Sequence, residues 1–453
     1  MNILLINADQ LRHDAVGYRG VRPVLTPNLD RLAGEGIVYE QAYTPLPVCS
    51  PARQSLLCGF RPDYIGATWN YDFWPTPKLD PEICWTKELS GMNWRLGYVG
   101  RFHVPCEGGP KDFGFDDFRD IRGYGAWLKD KYGDVNYTGG WLGCENPVAL
   151  EDSRTHYQAK MACDLLDEYT SGDKPWFIWV DFEEPHLPCR PSKPFSDMYR
   201  AEDMQPWDGW GDTFENKPYI HKQQPVSWNT DKLTWDDFAP MVARYCGCVS
   251  QVDDAVGRIL DRLRQSGQYD DTLIFFTSDH GDMCASHSML DKHYVLYDDI
   301  IRVPLIMKPL SGAHMATDGF VMNTLDIPAT IRAACGLKPL EPAHGRPLPQ
   351  TAEEAAACPD NVVVTTNGQQ FGLFSARAIR TKTHKYVWNL TDTDELYDLV
   401  NDPGEKNNLI KAPENAELVK ELRLKLYDQL VAQKDRFAGN EWMKRQLLEG
   451  KKL

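Results

Sequence analysis

The sequence predicts an α/β protein. A large, mostly parallel central sheet flanked by helices is expected over residues 1–360, and a smaller antiparallel sheet with a terminal helix over residues 361–453. Three observations carry this expectation. Several short runs are apolar throughout and stop abruptly at polar residues, as strands buried on both faces do. Helical periodicities separate those runs, which is the alternation of a sheet covered on both sides. After about residue 361 the pattern becomes short strands joined by tight turns. A chain of 453 residues is too long for one ordinary core, so a large α/β unit with an appendage fits its length.

Taken in order, the first strand is residues 3–6, closed by Asn7-Ala8-Asp9-Gln10. Thr26-Pro27 then starts a helix, with Thr26 as its cap and proline at the first position, and Gly34 and Gly36 stop it. The proline-rich Thr44-Pro45-Leu46-Pro47-Val48 leads into Cys49-Ser50-Pro51-Ala52-Arg53, where a second helix is expected to open. Residues 98–99 read as strand before Gly100-Arg101-Phe102-His103, and residues 176–180 before Asp181 and the loop Glu183-Glu184-Pro185-His186. A long helix is expected from about 241 to 266, ended by Gly267. Strand 273–276 runs into Thr277-Ser278-Asp279-His280; a further strand is expected at 303–307 and a helix at 324–334. In the last part, strands are expected at 361–366, 378–381, 385–390 and 395–397, with a polar helix from about 415 to 436.

Composition narrows the function classes. A net charge of -16 argues against nucleic acid or an anionic membrane as partner. An anionic substrate would have to be drawn by a local cationic pocket. No segment has the apolar length of a membrane span. The first residues lack the basic flank and cleavage site of a signal peptide, so a cytoplasmic location is expected. The 12 cysteines are dispersed without a Cys-x-x-Cys pair, and Cys246-x-Cys248 has no second pair nearby to complete a zinc site.

In a parallel sheet, ligands bind beyond the carboxyl ends of the strands. Asp9, Gln10, Asp279 and His280 all fall there. Two carboxylates, an amide oxygen and an imidazole suit a divalent cation with mostly oxygen ligands, such as Ca²⁺, Mg²⁺ or Mn²⁺. A cysteine opening a helix lies near unpaired N–H groups and the positive end of the helix dipole, which favours a reactive thiol or a held anion. Arg53, one turn after Cys49, shares its face. Arg101 and His103 alternate by two, so an extended backbone would point both the same way. His186 sits in a proline-bounded loop, and Asp291-Lys292-His293 follows the second acidic pair. Singly, each has a duller reading: a capping aspartate, a hydrogen-bonded histidine, a solvated lysine. Their weight comes from all of them flanking one sheet edge.

This ordered set resembles the type I sulfatases of the alkaline phosphatase superfamily. The likeness spans most of the chain, from Asp9-Gln10-Leu11-Arg12 through Cys49-Ser50-Pro51-Ala52-Arg53, Gly100-Arg101-Phe102-His103, Pro185-His186-Leu187-Pro188 and Ser278-Asp279-His280-Gly281-Asp282 to Glu395-Leu396-Tyr397-Asp398. It implies an alkaline-phosphatase-like fold and a Cys49 that a dedicated maturation enzyme oxidises to formylglycine. It also implies one divalent cation, Ca²⁺ first among the candidates, at Asp9, Gln10, residue 49, Asp279 and His280. By the same resemblance a hydroxyl of the hydrated aldehyde attacks sulfur, with Arg53 holding the diol and Arg101 and Lys292 gripping the sulfate. His186 protonates the leaving alcohol. His103 takes the proton of the second hydroxyl, so that sulfate is expelled and the aldehyde restored.

Two positions depart from the commonest family pattern: Gln10 stands where aspartate is frequent, and Arg101 where lysine is usual. The expected substrate is a sulfated mono- or oligosaccharide from glycosaminoglycan breakdown. Tryptophans in loop-rich stretches, among them Trp69, Trp74, Trp85, Trp141 and Trp207, are candidates for stacking on sugar rings, although packing explains most tryptophans. The rival expectations are a phosphonate monoester or phosphodiester hydrolase of the same superfamily and a non-catalytic binder of sulfated glycans. The oligomeric state is left open.

Overall fold

The computed structural model describes residues 1–73, 76–292, 294–368 and 374–452. Strand β1 (Asn2–Asp9) is buried at every position. The chain's periodicity explains this: Ile3 and Leu5 enter the core on one face of the sheet, Leu4, Ile6 and Ala8 the core on the other. The large sheet has eight strands. They are numbered along the chain as β1, β2 (Ile37–Tyr43), β3 (Arg95–Gly100), β4 (Asp117–Asp120), β5 (Trp176–Pro185), β6 (Thr272–Ser278), β7 (Leu305–Lys308) and β8 (Met315–Met322). Their spatial order is β4-β3-β5-β1-β6-β7-β2-β8. Within it β7 runs antiparallel to both neighbours, and the other pairings are parallel.

The predicted runs at 3–6, 176–180 and 273–276 are the three central strands, as burial on both faces requires. The run predicted at 303–307 begins two residues later in the structure and is the reversed strand. Strands β2, β4 and β8 carry half-buried or exposed polar residues toward the sheet's margins, so they present no continuous apolar signal.

Helices Arg154–Thr170 and Trp235–Gln265 cover one face, and Cys49–Cys58, Trp85–Ser90 and Asn323–Ala334 the other. The long helix begins at Trp235, ahead of the expected 241, because Thr234 and Asp237 form a capping box upstream of Pro240. Thr26 precedes helix Pro27–Glu35 as expected, but its hydroxyl caps nothing: it accepts from the Gly17 N–H and donates to Asp30. The helix N-terminus is capped from a distance, by the Asp253 carboxylate accepting from the Asn28 and Leu29 N–H groups at 3.2 and 2.8 Å.

β9 (Asn361–Gly368), β10 (Phe374–Thr381), β11 (His384–Asn389) and β12 (Glu395–Asp398) form a separate antiparallel sheet. One face packs on Leu422, Leu426 and Leu430 of helix Ala416–Ala432, next to a further helix, Glu441–Glu449, that the sequence did not announce. The other face presents Val362, Val364, Ala376 and Ala378 to Tyr43, Leu46 and Val48. The Thr365 N–H donates to Pro45 O at 2.9 Å. The small sheet therefore buttresses the loop that delivers Cys49. Helix Cys49–Cys58 ends at Gly59, whose φ of 74° lets its N–H reach Ser55 O; a Cβ there would stand 2.6 Å from Leu340.

Candidate active site

Because the strands around β1 run parallel, their carboxyl ends share one edge. β1 ends at Asp9, β6 at Ser278 just before Asp279 and His280, β5 at Pro185 before His186, and β3 at Gly100 before Arg101. The loop after β2 brings in Cys49 as the first residue of its helix. A cleft of about 630 Å³ opens over this edge, lined among others by Asp9, Cys49, Arg101, His103, His186 and Lys292. Gln10, Arg53, Asp279 and His280 lie buried at its base.

The buried Asp9, Cys49, Asp279 and His280 place one ligand atom each within 4.8 Å of all the others. Cys49 Sγ is 3.1 Å from His280 Nε2 and 3.6 Å from Asp9 Oδ1. His280 Nδ1–H donates to Gly281 O at 2.9 Å, which turns Nε2 toward the cluster. Burial, then Asp279 and Cys49, push Asp9 up to about 7 against the pull of Arg53 and His186. Burial opposes charge on His280, but Asp279 and Cys49 outweigh it and lift His280 to about 9. Burial likewise opposes ionisation of Cys49, yet Lys292 and His280 bring the thiol well below its ordinary range. The negative field that would hold a proton on His280 Nε2 would hold a divalent cation in its place, so the donor set fits one.

Gln10 adopts a left-handed backbone, φ 68°, and its N–H donates to Asp279 Oδ1 at 3.2 Å. Its Nε2 donates to Asp282 Oδ2 at 2.6 Å, and its Oε1 accepts from Lys292 Nζ at 2.9 Å. An amide oxygen has two lone pairs, so this contact leaves one for a cation.

Arg53 is the hub beneath the cluster. It reaches Asp9 Oδ2 at 2.6 Å through Nη2, Asp279 Oδ2 at 3.2 Å through Nε, and Asp181 Oδ2 at 3.3 Å through Nη1. Asp181 also accepts from Asn7 Nδ2 and the Tyr98 hydroxyl. Sequence reasoning used Asp181 only to end a strand. The usable signal was an acid within β5 between Val180 and Phe182, since a charge buried on both sides needs a buried partner.

Arg101 and His103 do point the same way, onto one carboxylate that the sequence did not single out. Asp72 Oδ2 accepts from Arg101 Nη2 at 2.6 Å and from His103 Nε2 at 2.8 Å. Asp72 is thereby a positioning residue for both. Asp72→Asn is expected to lower kcat/KM by about 10- to 100-fold without loss of folding, and Asp72→Glu to recover part of it. Steady-state kinetics beside thermal melts of the two variants would check this, and an equal loss in both variants would contradict it.

His186 Nδ1–H donates to the Leu187 carbonyl at 2.7 Å, and Nε2 faces Lys292 Nζ at 2.9 Å. Lys292 also pairs with Asp291 at 3.1 Å. Asn70, another residue not foreseen, lines the cleft and accepts the Ser50 N–H at 2.9 Å, fixing the helix start beside Cys49. Of the candidate tryptophans, Trp69, Trp85 and Trp207 are core residues, whereas Trp141 is 57% exposed and lines the cleft. Trp74 and His293 lie outside the described residues.

Residues 1–337 match the sulfatase family model, and residues 285–432 match that of the C-terminal region of N-sulphoglucosamine sulphohydrolase. The chain is 29% identical to an arylsulfatase of Clostridium perfringens, across 98% of this chain and 97% of that protein. It is 27% identical to an ulvan-active sulfatase of Formosa agariphila, across 97% and 83%. The fold matches the crystal structure of the phosphonate monoester hydrolase of Agrobacterium radiobacter with a TM-score of 0.80 at 23% identity, covering 96% of this chain and 95% of the other. The large sheet with its helices and the appended antiparallel sheet form an alkaline-phosphatase-like fold, and the family models place the chain in that superfamily. Within that superfamily the chain belongs to the sulfatase family and is a sulfuric ester hydrolase.

Proposed function

We propose that this enzyme removes sulfate from a small sulfated saccharide, a mono- or oligosaccharide of the kind released from glycosaminoglycans, using a formylglycine generated from Cys49. The observation that carries the reading is the position of Cys49. Its sulfur sits inside the buried donor set of Asp9, Asp279 and His280, at the base of a cleft whose walls carry Arg101 and Lys292. The similarity to an ulvan-active sulfatase supports a saccharide substrate.

Each residue then has a task that its contacts suit. Asp9, Asp279 and His280, with residue 49 and the Gln10 amide oxygen, would hold the divalent cation, Ca²⁺ first among the candidates and Mg²⁺ or Mn²⁺ after it. When bound, that cation supplies Lewis acidity to a hydroxyl of the hydrated aldehyde and to the sulfate oxygens. Arg53 orients the carboxylates from beneath and balances their charge. Lys292 and Arg101 donate to the sulfate oxygens where negative charge grows. His186 has its Nδ1–H committed to Leu187, so Nε2 is the atom that passes a proton to the departing sugar oxygen, backed by Lys292. His103, held by Asp72, accepts the proton of the second hydroxyl at residue 49. That proton transfer lets the carbon–oxygen bond to sulfate break without water attacking sulfur.

The rival reading, a phosphonate monoester or phosphodiester hydrolase, draws on the Asp9-Gln10 opening and on the likeness in fold to such an enzyme. A cation and an imidazole kept at this pair of positions, Arg101 and His103, favour sulfate. The deciding experiment compares matched aryl sulfate, aryl phosphonate and phosphodiester substrates with protein made alongside a formylglycine-generating enzyme. The sulfate is expected to give the highest kcat/KM; faster turnover of a phosphoryl ester than of any sulfate ester would overturn the assignment. Chelation is expected to lower kcat/KM by more than about 100-fold, with recovery on adding Ca²⁺. Activity that survives exhaustive chelation would remove the cation from the scheme.

A further inference from the structure

The cleft extends beyond the groups assigned to sulfate, and its outer wall has unused recognition chemistry. Its cations are nearly all neutralised within the protein. Arg101 pairs with Asp72, Lys292 with Asp291, and Arg154 with both Glu183 and Glu184. Arg190 is different: among the described residues it makes no ion pair and no hydrogen bond, and its Nε is buried without an acceptor. Its guanidinium lies over the Tyr137 ring, 4.2 Å from the centroid, which holds the charge at the cleft wall. Arg190 lines the cleft, and its terminal nitrogens, without a partner among the described residues, are the donors left for a ligand oxygen.

The neighbouring groups complement it. Glu184 lines the same cleft; one of its carboxylate oxygens is held by Arg154 and the other has no donor within the described residues. It can accept from a hydroxyl. Trp141 offers an exposed apolar surface, braced edge-to-face on Trp228 at 5.5 Å. An aromatic face, one acceptor and one cation within a single wall suit a sugar ring that bears an acid group. Arg190 stands four residues after His186 on the same loop, and both line the cleft, so this wall adjoins the leaving-group side.

We infer that this wall is a subsite for an acidic sugar, in which Arg190 binds a second oxyanion of the substrate, a carboxylate or a second sulfate, and Trp141 packs on the ring. The inference rests on the sulfatase reading of the adjoining site and narrows its substrate to saccharides carrying two anionic groups.

The test compares kcat/KM for a hexosamine 6-sulfate, the same sugar carrying an additional N-sulfate, and a monosulfated disaccharide with and without a uronate carboxylate. The wild-type enzyme is expected to prefer one doubly charged member over its singly charged partner by at least tenfold. Arg190→Gln should bring that ratio close to one, and Arg190→Lys should fall between. The pair that responds identifies whether carboxylate or sulfate is bound. Trp141→Ala, a change at an exposed side chain, should raise KM for the saccharides several-fold more than for an aryl sulfate. Calorimetric binding of the same saccharides to the Cys49→Ala protein separates this inference from the reaction assigned above. Arg190-dependent binding, together with a matured wild type that hydrolyses no sulfate ester, would keep the subsite and remove the reaction. Sulfate ester hydrolysis with an unchanged preference in Arg190→Gln, or with no preference in the wild type, would remove the subsite and keep the reaction.

Discussion

Cys49→Ala is expected to abolish turnover, lowering kcat/KM by roughly 10⁴- to 10⁶-fold, because the alanine methyl offers neither a nucleophile nor a cation ligand. Cys49→Ser makes the more informative variant. A serine hydroxyl at the same place can attack sulfur, but it has no second hydroxyl from which a proton can be drawn to expel sulfate. It should therefore release at most one equivalent of alcohol and then stop, keeping a sulfate ester at residue 49. In the active wild type, intact mass should show residue 49 lighter than cysteine by about 18 Da, the exchange of a thiol and a hydrogen for a carbonyl oxygen. Full activity in Cys49→Ala, or an active protein whose residue 49 keeps its thiol, would end the proposal.

The second large effect is expected at Arg53, and it combines activity with stability. Its guanidinium is 2% exposed and is the shared partner of Asp9, Asp181 and Asp279. Arg53→Met keeps much of the volume and removes the charge, leaving three buried carboxylates to face one another. Breaking a buried ion pair by deleting one partner costs about 3–5 kcal/mol. Denaturant unfolding should show a loss of that order, and any folded enzyme should be inactive because the carboxylates of the cluster lose their alignment. Arg53→Lys should restore little, since one ammonium cannot reach three carboxylates that a planar fork addresses from different nitrogens. A variant as stable and as active as the wild type would mean the cluster is neutralised by something other than Arg53.

Much of the architecture was readable locally. Residues 3–6, 176–180 and 273–276 are apolar because they are buried on both faces, and such runs identify central strands of a parallel sheet. That placement alone sets Asp9, Asp279, His280 and His186 at one edge. The helix opening at Cys49 was marked by the proline-rich approach and by the spacing to Arg53. Marginal strands were harder. β4 is half-buried throughout and β8 mixes buried with exposed positions, so hydrophobicity alone does not separate them from loops.

The groups that tune the site were less legible. Asp72 meets His103 across a separation of 31 residues, and Asp181 in β5 meets Arg53 from a helix far earlier in the chain. Nothing in the residues beside Asp72 distinguishes it from a surface acid. Arg190 reads as one more loop arginine until the other cations of the cleft are seen to be paired and it is not.

Chemical identity and strand polarity are properties of short segments, because periodic burial and residue type are both written within a few neighbours. They were enough to indicate the kind of sheet, the edge that carries chemistry, and a cysteine poised beside a cation site. Pairing of charges is a property of distance after folding. Which carboxylate restrains which histidine, which arginine is spent inside the protein, and which one is left for a ligand were settled only when segments remote along the chain closed around the same cleft.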